Sequence, residues 1–295
     1  MRPPKTRPGD TIALVAPAGP VPADLVEKAL PVLRGWGVEV GVGECVRAAL
    51  DGYLSAPDEA RAAEFTRAWL DPRVTCVLAA RGGYGSQRML DLVDWAALRT
   101  AGPKMFAGSS DVTALHRAVN VHLGLETLFS PMPATTLFDA AAAEHLRLSL
   151  FEPDGVRTIA SPTASPLVPG TATGTLVGGN LALLASGLGT PEAGSAHDAI
   201  VLLEDVTEYP YRIDRMLTQL LRSGWFDGVR GIVLGSWEGC GAPGPIRHLM
   251  LDRLGPLGVP TVWDFGFGHV PASPTIPLGA RATLDADRGI LRILP

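Results

Sequence analysis

Cysteine is scarce in this chain. Its 295 residues include three, Cys45, Cys76 and Cys240. An odd number without CxxC spacing indicates neither a disulfide framework nor a zinc ribbon, and a reducing compartment is the natural reading. Long apolar runs are missing as well. No span approaches the roughly 20 apolar residues that a membrane helix needs. The opening MRPPKTRPGD leads into only a short apolar stretch, Thr11 to Ala16, which lacks a signal peptide's length and is followed by prolines. A cytoplasmic protein without membrane contact is the expectation. The net charge of -5 is spread along the chain, with no Lys/Arg cluster of the kind that neutralises phosphates. Nucleic-acid binding therefore has little electrostatic support. No HExxH spacing and no Walker sequence occur, and no repeat of solenoid period is visible.

What is present suits a globular enzyme: 46% of residues are hydrophobic and 19% charged, enough apolar material for one large or two modest domains. The first half alternates β-rich runs with amphipathic stretches. TIALVAP reads as a buried strand, Ala23 to Trp36 as a helix, Val38 to Val42 as a strand, Asp58 to Leu70 as a helix and Val74 to Ala79 as a strand. Met89 to Leu98 and Asp111 to Leu123 read as helices flanking a short strand, Lys104 to Ala107. The alternation predicts an α/β fold, a parallel sheet flanked by helices. Residues 153–172, rich in Pro, Ser and Thr, read as a linker between an N-terminal domain, 1–152, and a smaller mixed β-rich domain, 173–295. The latter holds the strand AIVLLED, a helix from Ile213 to Arg222, strands at Gly231 to Leu234 and Thr261 to Phe265, and a closing hairpin turned by Asp287, Arg288 and Gly289.

Four places could carry chemistry. KMFAGSSDVTALH sets Gly-Ser-Ser between a strand and a helix. Ser110 there is either an ordinary helix cap or a nucleophile on a sharp strand-to-helix turn, with helix amides offered to an oxyanion. It is favoured over Ser109 because the helix begins at Ser110. ARGGYG is either a tight turn or a loop whose glycines let Gly82 or Gly83 bring a backbone donor to a ligand; its spacing fails GxGxxG. Glu204 ends an apolar strand, where an acid is either solvated or, at the carboxyl edge of an open sheet, part of a site; Glu208 is the reserve. His269 lies in DFGFGHVPASP, a Gly/Pro loop without helical or strand period, where a histidine invites a functional explanation. His116 and His122 share one predicted helix, His145 and His248 lie on charged helical faces and His197 in a polar loop, with no ligand spacing among them.

Taken in order, PGDTIALVAPAGP, YLSAPDEARAAEF, RGGYGSQRMLDLVDW, PKMFAGSSDVTAL, GTLVGGNLALLASGLGTPE, LLEDVTEYPYRIDRML and GHVPASPTIPLGARATLD resemble the LD-carboxypeptidase family, serine peptidases that include murein tetrapeptide carboxypeptidases and microcin C immunity proteins. The resemblance covers nearly the whole chain. It implies a Ser110–His269–Glu204 triad, a parallel α/β domain followed by a β-rich one, and a cytoplasmic homodimer needing neither cofactor nor metal. It also implies a small murein tetrapeptide as substrate, cleaved between an L-centre and a terminal D-Ala during peptidoglycan recycling. The oxyanion would meet the amides of Asp111 and of Gly82 or Gly83, and Arg81, Tyr84, Glu208, Arg212 and Arg215 are the substrate-side candidates, the arginines as a fork for the terminal carboxylate. The competing expectations are a hydrolase of peptidyl or aminoacyl nucleotides, as in microcin C immunity, and a silent murein-peptide binding protein. The chain departs from the family pattern at Ala18, Ser109 and Phe129-Ser130-Pro131.

Overall fold

The computed structural model describes residues 1–48 and 52–295. Two sheets organise it. The first has six strands: Thr11–Val15, Val74–Ala79, Met105–Gly108 and Thr127–Phe129 run parallel, Glu39–Val42 extends one edge in parallel and Ile276–Leu278 closes the other antiparallel. The inner strands are near-continuous apolar runs, as a sheet covered on both faces requires. Helices Ala23–Arg34 and Asp58–Leu70 cover it. In the second of these, Asp58 and Glu59 favour the positive N-terminal end, and Ala62, Phe65 and Trp69 lie on one buried face at spacings of three and four.

The second sheet has eight strands. Thr171–Asn180, Ala199–Val206, Gly231–Glu238 and Thr261–Trp263 are parallel and central, and antiparallel strands flank them on both sides. The mixed sheet is thus as expected from sequence, and the closing hairpin Arg281–Asp285 with Ile290–Ile293 pairs as read. The segment 153–172, read as a linker, supplies two strands to this sheet. Thr158–Ala160 pairs with Ile290–Ile293, and Ser165–Val168 with Thr261–Trp263. Conversely, Ile276–Leu278 crosses back to the first sheet. The units are therefore tied by exchanged edge strands. Pairing of such short, polar edges is set by the neighbouring strand more than by their own periodicity.

Helix assignments shift in two places. Met89 to Leu98 divides into a 3₁₀ segment, Ser86–Leu92, and a helix, Trp95–Ala101, whose N-cap Asp94 accepts from Ala97 N at 2.9 Å. Asp111 to Leu123 becomes a 3₁₀ turn, Ser110–Val112, an α-helix, Thr113–Ala118, and a π-helical end, Val119–Leu123. No helix among the described residues is long and apolar enough to cross a membrane.

The strand Ala199–Val206 is buried along nearly its full length, and Leu202 lies fully buried among Val233, Val262 and Leu284. Leu202→Ala should lower the unfolding free energy by about 2–5 kcal/mol, the range for truncating a packed leucine. Urea denaturation checks this; a loss under about 1 kcal/mol would place the core elsewhere.

Candidate active site

The strand Met105–Gly108 ends at Gly108, whose φ of 154° leaves no room for a side chain: a β-carbon there would stand 2.8 Å from Val112 Cγ2 and 2.9 Å from Ala79 Cβ. Two residues on, Ser110 has φ 62°, in the left-handed region. A non-glycine residue there is uncommon and strained, and such strain persists only where the surroundings hold it. The capping alternative fails, because neither Ser109 nor Ser110 makes a side-chain cap bond to the helix. Ser110 remains partly exposed while Ser109 and Asp111 are buried. This is the sharp turn expected of a nucleophile.

Three buried groups fix that turn from behind. His116 Nε2 bonds Gly108 O at 2.9 Å, with burial pushing its pKa down to about 4, so the ring is neutral and donates. The Asp111 carboxylate accepts from Gly85 N at 3.3 Å and Ser86 N at 2.8 Å, and Ser86 Oγ returns a bond to Asp111 O at 2.6 Å. Arg61, fully enclosed, donates to Gly85 O at 2.8 Å and to Ala56 O and the Pro17 carbonyl. The RGGYG loop is thereby locked against the serine turn. A β-carbon on Gly82 would lie 3.1 Å from Ser110 Oγ and 3.3 Å from Asp111 N, so glycine is needed for this approach. The amides of Gly82, Gly83 and Asp111 have no acceptor among the described residues, which leaves donors free in this turn and in the glycine loop that approaches it.

Glu204 and His269 meet from the other unit. Glu204 ends a buried run and has no solvent exposure, and His269 Nδ1 lies 2.6 Å from its Oε2. Burial alone depresses the imidazolium, but the adjacent Glu204 carboxylate outweighs it and raises the His269 pKa above its ordinary value. The loop is shaped for this contact. Ser236 Oγ accepts from His269 N at 2.9 Å and Ser273 Oγ from Gly268 N at 3.0 Å. Gly268 has φ 107°, and a β-carbon on it would stand 2.7 Å from both Glu204 Oε2 and Ser236 Oγ.

Asn180 and Asp205 complete the site, and neither was singled out from sequence. Asn180 is the register partner of Glu204 on the neighbouring strand. Its Nδ2 donates to Glu204 Oε1 at 3.3 Å and Asp205 Oδ1 at 3.0 Å, and its Oδ1 caps the next helix at Leu183 N. Asp205 is pushed up to about 6, by burial and by the charge of Glu204. The Asn180 amide donates to Thr113 Oγ1 at 3.1 Å, one turn after Ser110. A β-carbon on Gly179 would also strike Thr113. Serine turn and carboxylate strand are therefore in direct contact, although no hydrogen bond joins Ser110 to His269 among the described residues. The signal in the sequence was GGN: two positive-φ glycines, Gly178 and Gly179, admit close approach just before a polar side chain.

The substrate-side candidates are dispersed. Arg81 donates to Pro20 O at 2.6 Å. Exposed Tyr84 packs edge-on against Tyr53, 5.6 Å between ring centroids, beside the glycine loop. Glu208 and Arg212 pair with each other at 3.7 Å, while Arg212 and Arg215 cover the rings of Tyr209 and Tyr211; none of these bonds a triad residue. A cavity of about 810 Å3 lies at the Glu39–Val42 edge of the first sheet, lined by Glu64 and Arg67 and by none of Ser110, Glu204 and His269. No group of three or more His, Cys, Asp or Glu arranged to hold a metal occurs among the described residues.

Comparison with known proteins shows which chains this one is similar to. The LD-carboxypeptidase N-terminal domain matches residues 12–130 and the LD-carboxypeptidase C-terminal domain residues 173–284. A Streptomyces coelicolor protein provisionally designated a carboxypeptidase is 53% identical, covering 99% of this chain and 96% of its own. The murein tetrapeptide carboxypeptidase of Pseudomonas aeruginosa is 30% identical, covering 94% of each chain. A solved MccF-like protein of Bacillus anthracis superposes with a TM-score of 0.90 at 24% identity, over 100% of this chain and 99% of that one, which shows a shared fold.

An NMR titration of the His269 ring should find its pKa above 6.5 in the native protein, and lower in Glu204→Gln, where burial is offset by the charge of Asp205 alone. Gly268→Ala, which pushes a methyl between the partners, should lower it as well. An unchanged value in both variants would separate the two groups.

Proposed function

This chain belongs to the LD-carboxypeptidase family, and from that premise we propose that it is a serine peptidase acting on murein tetrapeptides, releasing the terminal D-Ala during peptidoglycan recycling in the cytoplasm. The observation that carries the reading is the fully buried Glu204 bonded at 2.6 Å to a histidine, across the unit boundary from a left-handed serine at a strand's carboxyl end. Such a pairing fixes the tautomer: with Nδ1–H donating to the Glu204 carboxylate, the ring keeps a lone pair on Nε2 for use as a base.

In this mechanism substrate binding brings Nε2 within reach of the Ser110 hydroxyl, a contact that commonly tightens only in the complex. The Ser110 oxygen attacks the carbonyl that joins the L-centre to D-Ala, and His269 takes its proton. Charge collecting on the carbonyl oxygen is met by the amides of Asp111 and of Gly82 or Gly83, each worth about 3 kcal/mol of barrier. Collapse returns the proton from His269 to the leaving amine. Water then repeats the sequence on the acyl-enzyme and frees Ser110. Tyr53 and Tyr84, exposed beside the loop, offer a wall for the peptide. Arg81 is the nearest cation to that loop in sequence and supplies the charge for the terminal carboxylate.

Purified protein incubated with murein tetrapeptide should release D-Ala, and Ser110→Ala should lower kcat/KM by about 10³-fold or more. Absence of D-Ala alongside cleavage of an aminoacyl sulfamoyl adenosine would replace the substrate by a nucleotide conjugate, and binding without turnover would leave a peptide-binding protein.

The rate should also depend on pH with a definite sign. Only the neutral imidazole accepts a proton, so kcat/KM should fall as pH drops through the raised pKa of His269, an acidic limb centred above 6.5. In Glu204→Gln that limb should move to lower pH while the plateau falls. A limb that stays in place would assign it to another group.

A further inference from the structure

A second cavity, about 380 Å3, opens between the helix that follows Ser110 and the segment 183–193. Its volume suits a small molecule. Leu90, Ala114, Leu183, Leu184 and Pro191 supply apolar wall, Arg117 is its cation, and Asp91 and Glu192 are its two acids. Arg117 lies seven residues beyond Ser110, about 10 Å along a helical path, on the side occupied by none of the triad residues.

Arg117 is nine-tenths buried yet has no acidic partner: no carboxylate lies within salt-bridge distance of it among the described residues. Of the two acids in the cavity wall, Glu192 is held by His122 Nε2 at 2.7 Å and Asp91 is exposed. Among the described residues the one acceptor Arg117 reaches is Ala193 O, at a long 3.4 Å, and that carbonyl already receives Trp225 Nε1 at 3.1 Å; its Nε has no acceptor among them. A buried guanidinium left short of partners is costly, by several kcal/mol in general, so its retention calls for a compensating anion. The backbone is nevertheless shaped around it. Gly194, at φ 56°, has no room for a β-carbon, which would fall on the guanidinium. The position is a formed pocket for a charged head, not a side chain stranded by chance packing.

We propose that this cavity binds a small monocarboxylate with an apolar body, the carboxylate pairing with the terminal nitrogens of Arg117 and the body lying against Leu183, Leu184 and Pro191. A planar carboxylate matches a guanidinium edge with two parallel bonds, and the leucines and proline of the wall offer their surface to one apolar group. The site is independent of the proposed peptidase reaction.

Benzoate and hexanoate are suitable probes, with benzyl alcohol and hexanol as uncharged matches. Isothermal titration of the full chain should show saturable binding of both acids and at least tenfold weaker binding of the alcohols. Arg117→Gln should abolish the acid binding, and so should Thr190→Trp, which places a bulky ring at an exposed position of the cavity wall and keeps Arg117. Both variants leave the Ser110–Glu204–His269 region intact, so acid binding that survives in them belongs to another place and overturns the proposal. Failure of either acid to bind the native chain, or equal binding of the alcohols, overturns it as well. If Arg117→Gln does not fold, Thr190→Trp decides alone.

Discussion

Glu204 has no contact with water, and a carboxylate in that position is tolerable only while its oxygens are occupied. His269 takes Oε2 and Asn180 takes Oε1, and those two bonds set the placement of nearly everything near them. Gly268 has to be glycine so that the histidine loop can descend onto the carboxylate. Ser236 and Ser273 hold the loop's amides. Asn180 carries the constraint across to Thr113 and hence to the turn that bears Ser110. Removing one member of a buried charged pair strands the other and costs several kcal/mol, so this group is a joint between the two units.

The serine turn follows a different logic. Its left-handed backbone is unfavourable by itself and is held by surrounding bonds: His116 to the Gly108 carbonyl, Asp111 to the amides of Gly85 and Ser86, and Arg61 to the Gly85 carbonyl. Because Asp111 follows Ser110 directly, its carboxylate binds the glycine loop while its amide stays free beside the hydroxyl. One residue thus couples the two sources of donors, and the distance between them is fixed before any ligand arrives.

Much of this was readable from residues alone where the local pattern was strong. Asp58–Leu70 and Val74–Ala79 have the bounds their periodicity implies, whereas Ser110, Glu204 and His269 each kept an ordinary alternative when read locally, and only the family resemblance joined them as candidates. What escaped was decided by tertiary neighbours. Residues 158–160 and 165–168 carry no strand signal because they are edges, paired through their backbones to strands more than 90 residues away in sequence. Asn180 looked like an ordinary polar residue after two glycines, and its role arises only when the parallel register sets it opposite Glu204. The split of the helix after Ser110 into three forms likewise depends on what it packs against. Substrate-side residues were the least legible: Arg212 and Arg215 engage tyrosines and Glu208 on the surface, since charge alone does not tell a binding arginine from a solvated one.

The most direct test of the account asks whether Ser110, His269 and Glu204 act as one unit. The second-order rate of fluorophosphonate labelling at Ser110 can be measured in the native chain, in His269→Gln, in Glu204→Gln and in the double variant. If the imidazole activates the serine and the carboxylate acts only through the imidazole, each single change slows labelling by about 10² or more, and the double variant is no slower than His269→Gln alone. Labelling that is unaffected by either change, or losses that multiply in the double variant, would contradict it.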